Sequence, residues 1–200
     1  MFEYEMTLAG TVNIDTQDIA RGLRQREVDF LRALVGQYQF RLVRYFIYLL
    51  GKRDSVEDLV QETWLRVLER GSSYDGRSRF EPWLFTIAHN LAIDHMRKRR
   101  IFSIDSNHSP EQELEALTPV SNAPSPFEQA ARTEDAQRLA HSLQMLEPIY
   151  REALVLRFQE DLSLQEMAGV IGASVSTVSS RIYRGLAALR AQLDGGPNAN

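Results

Sequence analysis

The sequence has no cysteine, fewer cations than anions and no long apolar run, and each absence narrows the possible functions. Without cysteine the chain forms no disulfide, thiolate metal site or thiol nucleophile, which fits a reducing compartment. Lys and Arg number 23 against 27 Asp and Glu, so the net charge of −4 gives no general attraction to nucleic acid. The N-terminus lacks the basic and apolar segments of a secretory signal, and the longest apolar stretch, residues 45–50, is too short to span a bilayer. We therefore expect a cytoplasmic protein without membrane insertion, in which any contact with DNA is local.

Residue patterns typical of catalysis or metal binding are also missing. The sequence has no Gly-rich phosphate loop, no Ser nucleophile elbow and no pair of carboxylates in an apolar setting. His89 and His95 are six residues apart and so do not share a helix face, as a metal-binding pair would. The sequence predicts a protein that is not an enzyme and uses no metal ion or other cofactor.

Apolar residues recur at helical intervals of three and four in two parts of the chain, residues 30–100 and residues 134–193. Between these parts, in residues 102–131, the composition changes to four prolines, five acidic residues and no Lys or Arg, which is typical of a flexible linker. No segment shows strand-like alternation of any length. The pattern predicts an all-α protein of two small helical domains joined by a flexible acidic linker.

The changes in pattern also set the predicted domain boundaries. These are an N-terminal extension (1–22), a first domain (23–101), the linker (102–132), a second domain (133–194) and a polar tail (195–200). The residues of the extension indicate no function.

The second domain carries the sharpest local pattern, in residues 163–189. Ser163 with Glu166 predicts a capping box at the start of a short helix, and Gly172 permits a tight turn after it. Ser174 can then cap a second helix. Two helices joined in this way predict a helix-turn-helix.

One stripe of that second helix points away from its core and combines short hydroxyls with guanidinium groups: Thr177, Ser180, Arg181 and Arg184. Hydroxyls near the start of a recognition helix approach base edges, and guanidinium groups suit guanine or phosphate. Such stripes also occur on solvated helix faces. The turn in front of this one favours contact with the major groove of DNA.

The last predicted helix of the first domain combines an outward amide, nearby aromatic rings and a basic end. The residues are Asn90, then Phe80, Trp83 and Phe85, then Arg97, Lys98, Arg99 and Arg100. Rings can stack on unpaired bases, an amide can read a base edge and cations can hold the backbone, so this helix suits melted DNA. The alternative is that the rings are core residues and the cations a solvated helix end.

A second helix of the first domain keeps an acidic stripe that its own core does not need. Its members are Asp58, Gln61, Glu62 and Leu65. An acidic stripe edged by an exposed leucine can dock on another protein. A solvated helix face is the other interpretation.

Taken together, three segments resemble the extracytoplasmic-function group of bacterial sigma factors in the sigma-70 family. They are DSVEDLVQETWLRVLE (54–69), SRFEPWLFTIAHNLAIDHMRKRR (78–100) and LSLQEMAGVIGASVSTVSSRIYRGLAALR (162–190). Three such segments in the family's order are far more specific than a lone helix-turn-helix. The resemblance implies an RNA polymerase sigma factor, which binds core polymerase and directs transcription to promoters.

The resemblance also implies which residues meet each partner. Core RNA polymerase would bind Asp58, Gln61, Glu62 and Leu65. The minus-ten element of promoter DNA would be opened and read by the 71–79 loop with Arg79, Phe80, Asn90, Arg97, Lys98, Arg99 and Arg100. The minus-thirty-five element would be read by Ser176, Thr177, Ser180, Arg181 and Arg184. Because many members are held by an anti-sigma factor, such a partner is expected as well.

Two positions depart from the family pattern. The chain has Ser176 where Gly is usual and Ser179 where Lys or Arg is usual. The recognition helix therefore lacks a phosphate contact, which predicts a different or weaker upstream element.

The residues alone leave two other functions open. A free-standing helix-turn-helix regulator would bind duplex DNA without polymerase, whereas an acidic sigma factor should bind its promoter poorly alone. An enzyme that processes nucleic acid would need a catalytic cluster, which the sequence does not contain.

Overall fold

The computed structural model describes residues 14–51, 54–105 and 134–194, with side chains for residues 14–51, 54–98 and 138–193. Over these residues the backbone forms eight α-helices and one short 3₁₀ turn, which confirms the all-α prediction. They are α1 (Thr16–Gln25), α2 (Val28–Leu50), α3 (Val56–Arg70), the turn Gly71–Ser73, α4 (Phe80–Asp105), α5 (Glu134–Gln144), α6 (Pro148–Phe158), α7 (Leu164–Ile171) and α8 (Val175–Asp194). Residues 106–132 of the predicted linker and the polar tail lie outside the described residues.

The first domain is built on α2, whose apolar residues return every three or four positions and are buried along one face. Leu34, Leu42 and Leu49 on this face are each at most 2% exposed. The helix ends at Gly51, which has φ +68°, a conformation that glycine adopts without strain. Helices α3 and α4 pack on this face and on each other, as the apolar spacing predicts.

Helix α1 belongs to the first domain. Its residues Ile19, Ala20 and Leu23 are buried, and the helix packs against the 3₁₀ turn that follows α3. The predicted boundary between residues 22 and 23 therefore falls inside a helix that the domain core includes. The apolar periodicity of the sequence did not reveal α1 because this helix is short and has only one narrow apolar face.

The second domain packs α6 against α8, with α5 and α7 on either side. The crossing is close at Gly185, where a Cβ atom would lie 3.2 Å from Cγ of Leu154 and 3.3 Å from Cβ of Tyr150. A larger residue at position 185 would push the two helices apart.

The two domains are in contact along α2 with α6 and along α4 with α7. Tyr45 and Phe85 of the first domain and Leu156 and Met167 of the second are fully buried in one continuous apolar cluster. The sequence predicts two domains and is silent on their relative placement. The structure shows them closed on each other.

Arg151 adds a polar link between the domains. Its Nη1 donates to the carbonyl of Tyr48 at the end of α2 (2.9 Å), and its Nη2 donates to the carbonyl of Leu146 (2.7 Å). Helix ends leave carbonyl groups without partners inside the helix, and one planar guanidinium can serve several of them. Burial lowers the pKa of Arg151.

None of the helices within the described ranges combines the length and apolar character needed to cross a membrane.

Candidate nucleic-acid interface

The helix-turn-helix forms as its capping residues predict. Oγ of Ser163 accepts the backbone N–H of Glu166 (3.2 Å), and the carboxylate of Glu166 accepts the backbone N–H of Ser163 (2.8 Å). Gly172 ends α7 with φ +67°, and Oγ of Ser174 accepts the N–H of Thr177 (3.2 Å) at the start of α8. The turn is therefore held by local bonds at both helix ends.

Most of the predicted recognition stripe on α8 faces solvent. Ser176, Thr177, Ser180 and Arg184 are exposed and Arg181 is half-buried. Sequence reasoning left out Tyr183, whose side chain is 76% exposed next to Arg184. Its spacing of three from Ser180 and seven from Ser176 places it along the same side of the helix, which was a usable signal.

The basic end of α4 also faces solvent as far as its side chains are described. Asn90, Arg97 and Lys98 are exposed, and Arg97 donates to the carboxylate of Asp94 (2.8 Å). The side chains of Arg99 and Arg100 lie outside the described residues. The exposed amide and the first cations stand on one side of α4, as the sequence predicts.

Phe80 and Phe85 lie in the core, in contrast to the interpretation that their rings face DNA. Phe80 is 1% exposed and packs edge-on against Tyr38 and Tyr74, with ring centroids 5.2 and 5.3 Å apart. Phe85 is fully buried because α4 is covered on two sides, by its own domain and by the second domain. Phe80 therefore supports the site from within, and the structure gives its ring no access to DNA.

The 71–79 loop is held from inside by Tyr74. This side chain is 2% exposed, and its hydroxyl donates to the carbonyl of Ser78 (2.6 Å). Burial raises the pKa of Tyr74 to about 12, so the hydroxyl keeps its proton. The buried ring leaves Asp75 and Arg77 exposed at the loop surface, where Asp75 accepts the N–H of Arg77 (2.9 Å).

Arg79, a residue predicted to meet DNA, is engaged by the second domain. Its Nη1 donates to the carbonyl of Asp161 (3.0 Å) and lies 3.7 Å from the carboxylate of Glu166 at the start of α7. The helix-turn-helix and the predicted minus-ten surface therefore touch each other in this closed arrangement.

The acidic stripe on α3 is accessible and borders a groove. Asp58 and Gln61 are exposed, Leu65 is 54% exposed, and Glu62 pairs with Arg66 (2.9 Å). A groove of about 370 Å³ between α2 and α3 runs alongside, lined by Gln39, Val43, Ile47, Val56, Glu57, Val60 and Gln61. The sequence did not indicate this groove, because one of its walls comes from α2.

The second domain has an apolar groove of about 290 Å³ of its own. It is lined by Leu139, Leu143, Leu154, Val155, Phe158, Gln159, Leu186 and Leu189. Phe158 is 61% exposed at its edge. Leu186, another residue of this lining, is 43% exposed.

A buried acidic side chain of the second domain, Glu152, contacts two buried residues of the first domain. Glu152, 3% exposed, accepts a hydrogen bond from the hydroxyl of Tyr45, and its Oε1 lies 2.6 Å from Nδ1 of His89. Burial, and then the Glu152 charge, raise the pKa of Tyr45, so this hydroxyl remains a donor. His89 is thus a contact between the domains, a role that its sequence position did not indicate.

A second acidic group, Glu160, is 1% exposed and accepts a hydrogen bond from Nε of Arg41 (2.7 Å). Nη1 of the same Arg41 donates to Glu81 of the first domain (3.3 Å). Burial opposes the charge of Arg41, but Glu160 and then Glu81 keep its pKa above the ordinary value. One guanidinium therefore bridges carboxylates of both domains.

The described residues contain no group of three or more His, Asp or Glu side chains arranged to hold a metal ion.

Comparison with known proteins matches both halves of the chain to one family. Residues 34–101 match sigma-70 region 2, and residues 136–189 match sigma-70 region 4. The RNA polymerase sigma factor CarQ of Myxococcus xanthus is 37% identical over 162 residues, which cover 81% of this chain and 88% of that protein. The ECF RNA polymerase sigma factor EcfG of Rhodopseudomonas palustris is 34% identical over 149 residues, covering 74% of this chain and 77% of that one.

The fold is also similar to a solved sigma factor. The sigma factor RpoE from Bartonella quintana, crystallised with the anti-sigma factor NepR, is 27% identical with a TM-score of 0.68, over 84% of this chain and 99% of that one. The two matched regions agree with the structure. The second domain has a helix-turn-helix whose second helix is largely exposed, and the first domain has an exposed basic segment near the end of α4. The chain belongs to the extracytoplasmic-function group of RNA polymerase sigma factors, which direct polymerase to promoters.

Proposed function

We propose that α8 reads the minus-thirty-five element of this sigma factor's promoters. The residues are Ser176, Thr177, Ser180, Arg181 and Arg184. The supporting observation is an intact helix-turn-helix whose second helix presents these side chains to solvent or half-exposed. With Ser179 in place of a cation, the charged contacts rest on the two arginines, which suit guanine edges and phosphates.

We further propose that the 71–79 loop and the outer side of α4 open and read the minus-ten element. Arg79, Asn90 and Arg97 would act with Lys98, Arg99 and Arg100. Exposure of Asn90, Arg97 and Lys98 supports this assignment. Phe80 contributes by packing beneath the loop, since its ring is in the core.

Core RNA polymerase would bind the stripe of Asp58, Gln61, Glu62 and Leu65 on α3. This stripe is exposed or half-buried in the closed arrangement, and the groove beside it offers room for a partner helix. An exposed leucine within an acidic patch supplies both an apolar anchor and charge selectivity.

Reading both elements at once requires the domains to separate. Elements about 25 base pairs apart are separated by about 85 Å of duplex at 3.4 Å per base pair. In the closed arrangement the Arg79 guanidinium of the first domain is 3.7 Å from the Glu166 carboxylate of the helix-turn-helix. Opening would also release Arg79 for DNA.

We also propose an anti-sigma partner and a cytoplasmic location. RpoE from Bartonella quintana was crystallised with an anti-sigma factor, and the present chain has two open grooves, on α2 with α3 and on the second domain. A sigma factor works where chromosomal DNA and polymerase are found. In this role the chain recruits core polymerase and positions it on promoter DNA, and polymerase performs the chemistry.

The test is to incubate the full chain with sigma-free core polymerase and genomic promoter fragments, and to map transcript start sites. Discrete starts that share two upstream elements, lost with Arg181→Ala, are the expected result. If no complex forms with core while the chain alone protects a duplex site, a free-standing regulator replaces this proposal.

A further inference from the structure

Helix α1 lies outside the residues matched to sigma-70 region 2, yet it touches the loop assigned to the minus-ten element. The side-chain amide of Gln17 donates to the carbonyl of Gly76 (3.0 Å), across 59 positions of the chain. This hydrogen bond ties α1 directly to the backbone of the loop.

The packing around Gly76 leaves no space for a side chain. A Cβ atom there would lie 2.9 Å from the carbonyl oxygen of Thr16 and 3.1 Å from Cβ of Ala20, both in α1. Gly76 also has φ +74°, which residues with a Cβ atom rarely adopt. The loop backbone is therefore pressed against α1 in one conformation.

A second contact holds the start of the same loop. Gly71 is buried, and a Cβ atom there would lie 3.0 Å from Cβ of Leu23 in α1. With Gly71 and Gly76 both against α1, and Tyr74 anchored below by its bond to Ser78, the loop is fixed at three points.

While the loop backbone is held at these three positions, polar side chains of the loop face solvent. Asp75 and Arg77 are exposed, and the Arg77 side chain is 87% accessible. A group that reads a base must be held by its surroundings to discriminate well. Such support is what α1 gives to the loop.

We propose that α1 is a positioning element for promoter opening, in which Gln17 and the contact at Gly76 hold the 71–79 loop in the conformation that discriminates the minus-ten element. The inference rests on the proposed function of that loop. It assigns a role to a helix that lies outside the residues matched to sigma-70 region 2 and packs against the turn at the start of the loop.

The test uses the full chain on core polymerase, with a promoter obtained by start-site mapping and single base substitutions in each element. Gln17→Leu removes the donor, and Gln25→Leu makes the same change at an exposed position at the other end of α1. Loss of one hydrogen bond corresponds to about a fivefold effect. We expect Gln17→Leu to reduce discrimination at the minus-ten element by about that factor, with discrimination at the minus-thirty-five element unchanged.

Two further variants separate positioning from stability. Gln17→Lys keeps an N–H donor and should restore discrimination, whereas Gly76→Ala should reduce it further while core binding stays normal. Unchanged minus-ten discrimination in folded Gln17→Leu and Gly76→Ala would overturn the inference, as would an equal loss at both elements. If the unaltered chain itself starts no transcript with core, the proposed function has failed, and the inference falls with it.

Discussion

Oε1 of Glu152 in the second domain lies 2.6 Å from Nδ1 of His89 in the first, and both side chains are buried. The hydroxyl of Tyr45 donates to the same oxygen. A carboxylate enclosed in this way is stable only while its partners remain, because removing one leaves a buried charge without compensation. This contact therefore contributes to the closed arrangement of the two domains, beside the apolar cluster that they share.

We expect His89→Leu to open the chain, because Glu152 would regain hydration only when the domains part. The closed state should lose about 3 kcal/mol. The separation of the domains would be measured by energy transfer between dyes on Ser72→Cys and Ala187→Cys, two exposed positions. No native cysteine competes for the label. His141→Leu, at an exposed position on α5, is the control. Equal transfer in His89→Leu and the parent would mean that this contact does not hold the domains.

Alkaline pH should weaken the fold through Tyr74. Burial raises its pKa to about 12 from the ordinary 10.0, so the folded state resists loss of the proton. The resulting stability is complete below pH 10 and is lost as the pH rises towards 12. We expect Tyr74→Phe to flatten the fall in melting temperature over this interval, measured by circular dichroism.

The control for the alkaline experiment is Tyr183→Phe, because this side chain is 76% exposed. Its melting temperature should follow that of the parent chain at every pH. A slope unchanged by Tyr74→Phe would show that another group dominates the alkaline loss.

The proposed binding of core polymerase to the α3 stripe predicts a selective loss of affinity. The double variant Asp58→Ala with Gln61→Ala should bind core polymerase about tenfold more weakly, while its helix content and unfolding temperature stay the same. Asp29→Ala with Gln25→Ala removes the same two residue types from exposed positions elsewhere in the first domain. Equal affinity of both double variants would contradict the assignment.

The recognition helix predicts two different effects of losing an arginine. Arg181→Ala should cost about 1–3 kcal/mol and relax base preference in the minus-thirty-five element, if this guanidinium reads a base. Arg184→Ala should weaken holoenzyme binding uniformly and lower the salt slope by about 1, if it meets phosphate. Arg190→Ala, exposed further along α8, should change neither. Binding titrations over a range of salt concentrations would distinguish the two roles.

The sequence predicted the parts of this protein that depend on neighbours in the chain. Ser163 with Glu166, then Gly172 and Ser174, satisfy helix ends within a few residues of themselves, and the structure confirms each. Exposure of most of the α8 stripe follows from the same local periodicity.

What the sequence could not predict depends on distant partners. Glu152 and His89 are 63 positions apart, and Arg41 and Glu160 are 119 apart. No spacing rule links such residues, and buried acidic groups resemble solvated ones in a linear pattern. Phe85, whose ring the sequence left open between DNA and the core, packs against Tyr45 of α2 with ring centroids 5.2 Å apart, again a partner far away in the chain.

In the closed arrangement Arg79 is bonded to the second domain while the α3 stripe stays accessible, so the proposed steps of docking on polymerase and of promoter contact need not coincide. The proposed docking through α3 would be bimolecular, so its rate would rise with polymerase concentration. Parting of the domains is an internal motion, and its rate is independent of that concentration. At high polymerase concentration the rate of promoter engagement would level off at the opening rate. The delay between docking and initiation would then be a property of the sigma factor, set by how tightly its own two halves hold each other.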